Sequence, residues 1–356
     1  MADPVNTTCF LGTNAPSGFY SLFSSLQTPQ IRRLHIIKGV PGNGKSTLMK
    51  RIADEAETAG QPVERILCAA DPDSLDAVYL PDSHEAWADG TAPHIMEPQL
   101  PGVRDIYVDL SRFLDTDGLQ AQRTAIAELL ASLQEGQARA RHYIQAAGKL
   151  FTLGLTQEGT DVLTRRARQL ARHELPGRLR VKTERMHDSG THTEQRKFLC
   201  ALTPHGPMLL EDTITALCPR VITLSSRRGQ AYRILAMLRK EALARGCAVI
   251  SCPHPLSPED ILAQLLVPEA GVAFLADDGL LPAFKRPDRR LHLDRKLSPE
   301  PHAREREKAL QMLIRLFCLQ AADNLSMHDR LEQLYRPYMD FSHLSEWRHT
   351  IVSSST

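Results

Sequence analysis

Short apolar runs alternate with amphipathic helical stretches along this chain. Leu34-His35-Ile36-Ile37 reads as a buried strand, and a helix is predicted from about Lys45 to Ala59. Ile106-Tyr107-Val108-Asp109, Met208-Leu209-Leu210 and the stretch flanked by Cys247 and Cys252 are further strand-like runs. Glu85-Ala86-Trp87-Ala88-Asp89 is a poor strand by propensity. From Asp115 to about Leu175 the pattern is helical, with Ile126, Leu129, Leu130 and Leu133 at helical spacing and a break expected near Gly148–Gly159. Asp188-Ser189-Gly190 reads as a linker, and Pro282–Pro301 as a charged, proline-rich loop before a helix around Glu305–Asp323. Val352–Thr356 should fray.

Between the first strand and its helix lies Gly39-Val40-Pro41-Gly42-Asn43-Gly44-Lys45-Ser46, which fits the phosphate-loop pattern G-x-x-x-x-G-K-[ST] without a mismatch. Glycines let the backbone wrap a phosphate with its N–H groups pointing inward, and the helix N-terminus adds its positive end. In that chemistry Lys45 reaches the β- and γ-phosphates, Ser46 ligates Mg2+, and Thr47 is expected to contact the nucleotide.

The chain also repeats itself. Gly60 aligned with Gly246 lays Ser46–Ala59 on Tyr232–Arg245, pairing Leu48-Met49 with Ile234-Leu235 and Glu55-Ala56 with Glu241-Ala242. The same shift brings His35-Ile36-Ile37 onto Val221-Ile222-Thr223, and Asp71–Ser74 onto Ser257–Asp260. With a slip of two residues, Phe10-Leu11 meets Phe198-Leu199. A whole βαβ unit is therefore expected twice. In this register Ala231 replaces Lys45, Tyr232 replaces Ser46, Ser225 replaces Gly39 and Gln230 replaces Gly44. Only Gly229 remains, beside Arg227 and Arg228, so a pseudo-copy with little triphosphate affinity is expected, unless the arginines hold an anion. Asp71-Pro72 and Ser257-Pro258 both read as an N-cap with proline at the first helical position. Asp76 meets Leu262 and so disappears together with the lysine, which makes it a candidate ligand contact.

A triphosphate site needs a further acid at the end of a strand beside the loop, holding Mg2+ through water. By pattern alone Asp109, closing Ile106-Tyr107-Val108, is best; Glu211-Asp212 falls in the wrong part of the repeat. Asp89 follows the loop at a distance that suits an adjacent strand.

Lys38–Met49, Asp71–Val78 and Asp89-Gly90-Thr91-Ala92-Pro93-His94, with the tail His328-Asp329-Arg330-Leu331-Glu332 and Met339-Asp340-Phe341, resemble a poorly characterised bacterial family of tandem P-loop ATPases. The resemblance spans nearly the whole chain, thinly in the helical middle, and implies ATP binding. In that family an apolar strand ends in the Asp-Gly-Thr-x-Pro-His segment, which favours Asp89 as the metal-side acid and raises His94 as a γ-phosphate or substrate contact. Members carry a usable loop in both halves; here the second is degraded, leaving one expected site.

Composition adds boundaries. At 356 residues, 42% hydrophobic and 24% charged, the chain is long enough for two globular domains. A net charge of +1 argues against a globally basic nucleic-acid protein. Arg165, Arg166, Arg168, Arg172, Arg178, Arg180 and Arg185, with Lys182, form a local basic run. Without interleaved aromatics, and with Glu174 and Glu184 nearby, the run reads as a solvated helix face rather than a nucleic-acid patch. Seven cysteines with no C-x-x-C pair suit reduced, buried thiols more than a metal site at Cys247, Cys252 and His254. No leader or membrane-spanning run is evident, so a cytoplasmic protein is expected.

The resulting expectation is an α/β fold: tandem P-loop-type parallel sheets flanked by helices, with helical insertions. The divisions are 1–113 for the intact-loop domain, 114–190 helical, 191–290 the degenerate repeat and 291–356 C-terminal helical. The expected function is Mg2+-dependent ATP binding and hydrolysis; a nucleotide or small-metabolite kinase and a nucleotide-switched interaction protein use the same loop and stay open.

Overall fold

The computed structural model describes residues 5–155, 160–176, 194–293 and 301–347. The chain begins with β1 (Thr7–Cys9), a hairpin of β2 (Gly12–Ala15) and β3 (Gly18–Ser21), and β4 (Arg33–Lys38). Helix α1 (Lys45–Thr58) then leads to β5 (Glu64–Leu67), β6 (Leu75–Leu80), β7 (Glu85–Asp89) and β8 (Asp105–Asp109). Helices α2 (Thr116–Leu119), α3 (Arg123–Leu153) and α4 (Thr160–Glu174) make up the middle. The second half opens with β9 (Glu194–Arg196), the hairpin β10 (Cys200–Thr203) and β11 (Gly206–Leu209), and α5 (Glu211–Leu217). It continues through β12 (Arg220–Ser225), α6 (Gln230–Ala244), β13 (Val249–His254), β14 (Ser257–Val267), β15 (Val272–Asp277) and β16 (Arg289–His292). It continues with α7 (Ala303–Tyr335), after which a short helical stretch over 341–347 ends the described chain.

The first six-stranded sheet runs β1-β5-β6-β7-β4-β8, and the second runs β9-β13-β14-β15-β12-β16. Directions match strand for strand: β1/β5, β7/β4 and β4/β8 are parallel, as are β9/β13, β15/β12 and β12/β16. The inner strands β6 and β14 are antiparallel to both neighbours. The sheets are thus mixed, a correction to the expected parallel sheets, and the repeat extends well beyond one βαβ unit.

That correction has a local cause. Asp71-Pro72 opens a turn, not a helix: Ser74 N–H donates to Asp71 O at 2.8 Å and Asp73 N–H to the Asp71 carboxylate at 3.3 Å. This is side-chain turn chemistry, which shares its residue types with helix caps. Leu75, Ala77, Val78 and Leu80 then form β6, buried between two strands. Ser257-Pro258 likewise begins β14. The 282–301 segment, expected as loop, contains β16. The weak-propensity run 85–89 is β7, with Ala86, Trp87 and Ala88 fully buried; Trp87 stacks on His35 at 3.6 Å, and His35 pairs with Glu85 at 2.6 Å. Tertiary burial overrides propensity there.

Contacts divide the chain into two compact units, one drawn from Met1–Gly12, Phe23–Ala140 and Cys318–Thr356, the other from Thr13–Leu22 and Arg141–Phe317. The division falls inside both long helices. In the first unit α1 lays Leu48, Met49, Ile52, Ala53 and Ala56 on the sheet beside Ile37, Val78 and Trp87. In the second, Ile234, Leu235 and Leu238 of α6 pack with Leu163 and Leu170 of α4 and with Phe274 of β15. Among the described residues no helix is long and apolar enough to cross a membrane.

Candidate functional site

β4 delivers the chain to the loop, and α1 leaves it. Gly42 and Gly44 take φ of +71° and +87°, a left-handed region that glycine enters without strain, and Gly44 caps α1. The first-turn amides of α1 have no intrahelical acceptors. Asn43 is fully buried, and its amide, with nitrogen toward the Val40 carbonyl (3.0 Å) and oxygen toward the Val40 N–H (3.1 Å), braces the loop. A Cβ at Gly39 would stand 1.7 Å from that amide, so only glycine fits. Lys45 Nζ donates to Val40 O at 3.0 Å and lies 3.4 Å from Gly39 O. Val40 and Pro41 are half-buried in the loop, whereas Thr47 is exposed.

The acids arrive from the neighbouring strands. β7 lies beside β4 with Asp89 opposite Ile37. Asp89 Oδ1 accepts from Thr91 N–H (2.8 Å) and Thr91 Oγ1 (2.6 Å), while Oδ2 stands 3.8 Å from Lys45 Nζ. Ser46 Oγ accepts the N–H of Leu75 at 3.0 Å, tying the first turn of α1 to β6. The next residue, Asp76, places Oδ1 3.2 Å from His94 Nε2, both side chains buried. Burial alone would pull the His94 pKa down. The Asp76 hydrogen bond and the charges of Asp76 and Asp89 outweigh burial and the opposing charge of Lys45, so the imidazole is held above its ordinary value. Lys45, Ser46, Asp76, Asp89 and His94 therefore meet on one side of the loop.

Lys38, which the sequence reading did not single out, holds this arrangement in place. Its ammonium donates to Gly90 O (2.8 Å), Met96 O (2.9 Å) and Glu97 Oε1 (2.8 Å), so the turn carrying His94 is strapped to β4. A Cβ at Gly90 would lie 2.5 Å from Ile36 Cγ2, which explains glycine after Asp89. Asp109 is not brought in. It ends β8, on the opposite side of β4 from β7, and its carboxylate caps Ser111 N–H at 2.8 Å.

For Mg2+ the donor set is sparse. Among the described residues no cluster of three or more His, Cys, Asp or Glu forms a ready-made cage. One hydroxyl and one carboxylate, Ser46 and Asp89, fit the sparse type of site in which substrate phosphates and water complete the shell. All seven cysteines are free thiols.

The second copy is closed. Only Ser226–Arg228 separate β12 from Gly229, against Gly39–Asn43 in the first copy. Gly229, with φ +80°, caps α6 as Gly44 caps α1. Structurally, then, Gln230 stands opposite Lys45, Ala231 opposite Ser46 and Tyr232 opposite Thr47, one residue off the register drawn from Gly60 and Gly246. The cause is α6, which at 15 residues is one longer than the 14-residue α1. Tyr232 donates to Asp278 at 2.6 Å, and His254 Nε2 lies 3.0 Å from the same carboxylate. Phe151 stacks on His254 at 4.4 Å, and a Cβ at Gly229 would lie 2.6 Å from Leu155 Cδ2. Arg227 is paired with Glu307 at 3.0 Å. Gln230→Lys is accordingly expected to create no second triphosphate site; a second bound nucleotide in calorimetry of that variant would contradict this.

On α4, Leu163, Ala167, Leu170 and Ala171 are buried, while Arg165, Arg168 and Arg172 are exposed and Arg166 is half-buried. Arg178, Arg180, Lys182, Glu184 and Arg185, the 188–190 linker and the 352–356 tail lie outside the described residues. Compared with family models, curated proteins and solved structures, the chain matches none.

Proposed function

We propose that this chain is a Mg2+-dependent ATPase with one competent triphosphate site, at Gly39–Ser46, and one sealed copy. The observation that carries this reading is the convergence of Lys45, Ser46, Asp89 and the Asp76–His94 pair on a glycine loop at a helix N-terminus. Loop amides and Lys45 take the phosphate oxygens, exchanging the carbonyl contacts of Lys45 for stronger charge-assisted ones. Mg2+, held by Ser46 and Asp89, would supply further charge neutralisation at the phosphates. His94, fixed by Asp76, is placed to orient the attacking water through its imidazole. The resemblance to tandem P-loop ATPases points the same way.

The test separates binding from turnover. His94→Asn is expected to leave Mg-ATP affinity within about twofold and to slow phosphate release by about 100-fold, within the usual range for a positioned acid–base group. Unchanged phosphate release would remove His94 from the reaction. Running the assay with and without hydroxyl-bearing metabolites also addresses a kinase, since ADP formation dependent on such an acceptor would replace the ATPase reading.

A further inference from the structure

Two long helices end on the two loops, and they bring opposite chemistry. The end of α3 stacks Phe151 on His254 and sets the following Leu155 against Gly229, completing a plug around the buried Tyr232, His254 and Asp278. The end of α7 lies on the first loop. A Cβ at Gly42 would stand 3.0 Å from Glu332 Cβ, 3.1 Å from Glu332 O and 3.2 Å from its Cα. Leu331 is buried and anchors this turn, while the side chains of Glu332 and His328 are each 43% exposed and 3.7 Å apart. These residues are the His328–Glu332 tail motif, which the triphosphate chemistry leaves unused.

We propose that the end of α7 forms the nucleoside subsite of the first loop, with the Glu332 carboxylate accepting hydrogen bonds from ribose hydroxyls; the inference rests on the triphosphate reading above. The argument is one of donors and acceptors. Phosphate oxygens only accept, and the loop amides and Lys45 only donate, so those two sets satisfy each other. An ionised carboxylate also only accepts, and against a bare polyphosphate it would add repulsion. Beside the loop it is complementary to a ligand that carries donors next to its phosphates, and sugar hydroxyls are such donors. Acidic side chains serve ribose hydroxyls in this way in dinucleotide folds. His328, one helical turn earlier, lies with Nδ1 3.7 Å from the Glu332 carboxylate. The second copy is the internal contrast: its helix end carries carbon where the first carries acceptors, and its loop is closed.

The test compares Mg-ATP, the Mg complex of 2',3'-dideoxy-ATP and Mg-tripolyphosphate by calorimetry on the full chain and on Glu332→Ala, with thermal melts to verify folding. The native chain is expected to prefer ATP over the dideoxy nucleotide by at least about 10-fold, the low end of what one hydrogen bond to a charged group contributes. Glu332→Ala, which leaves no acceptor, is expected to remove that preference and to leave tripolyphosphate affinity within about twofold. A preference that survives in the variant, or an equal loss for all three ligands, overturns the subsite. A native chain that binds tripolyphosphate but favours ATP no further overturns it as well. A native chain that binds none of the three overturns the triphosphate reading itself, and the subsite with it.

Discussion

Lys45→Ala is expected to lower the affinity for Mg-ATP by at least about 100-fold, the loss of some 3 kcal/mol that follows from removing a cation hydrogen-bonded to phosphate. Lys45 is the cation whose ammonium lies on the loop itself, 3.0 Å from Val40 O, and its side chain is only 13% exposed. Water would not replace it efficiently in so enclosed a position. Its nearest acid, Asp89 at 3.8 Å, would also lose its counter-charge and oppose the incoming phosphates. Calorimetry on native and variant chains gives the answer directly. An affinity unchanged within about twofold would show that the loop does not hold the triphosphate.

Asp278→Ala is expected to destabilise the second unit by about 3–5 kcal/mol, because deleting one member of a buried charged network strands the others. Asp278 bonds both the Tyr232 hydroxyl and His254 Nε2, while His254 Nδ1 accepts the Leu256 N–H at 3.1 Å, and Tyr232, His254 and Asp278 are all buried. Urea denaturation checks this, with Asp278→Asn, which keeps a hydrogen-bonding group, expected to lose less. A loss under about 1 kcal/mol would show that the plug contributes little to the fold. The same residue sets an acid limit. Burial would push its carboxyl up, but the hydrogen bond and charge of His254 and the Tyr232 hydroxyl outweigh that and hold it below the usual carboxylate range. A depressed carboxyl contributes stability above its unfolded value of about 3.9, and that contribution is lost as pH falls through the lower folded value. The native chain should therefore weaken below about pH 4, and more steeply than Asp278→Asn.

Much of the first site was legible because its chemistry is local in sequence. The eight residues Gly39–Ser46 carry their own glycines, lysine and hydroxyl, and the apolar runs on either side place them between strand and helix. Asp76 stood out because it vanishes in the second copy, and it does lie against the other candidate, His94. Asp109 looked best by strand pattern but ends on the far side of β4; which side a strand takes depends on sheet order, which a short apolar run does not encode. Asp71-Pro72 misled because helix caps and turns use the same side-chain hydrogen bond. Lys38 and Glu332 lie in stretches that carry the family resemblance, but neither pattern nor spacing gave them a role at the site. Their roles come from contacts 52 and 290 residues distant in the chain, at Gly90 and Gly42.

The sequence by itself determined that the chain is a duplicated α/β protein, that one loop carries the phosphate-loop pattern and that the other lacks its lysine, hydroxyl and flanking glycines. Periodicity, glycine placement and side-chain type suffice for those conclusions, since each acts within a few residues. Only the tertiary structure decided which acids face Lys45, that both sheets are mixed, and that the second loop is shortened and filled by Tyr232, Phe151, His254 and Asp278. It also decided that α7 ends on Gly42. These outcomes depend on strand order and on where long helices terminate, and those are set by which apolar faces bury one another across the fold.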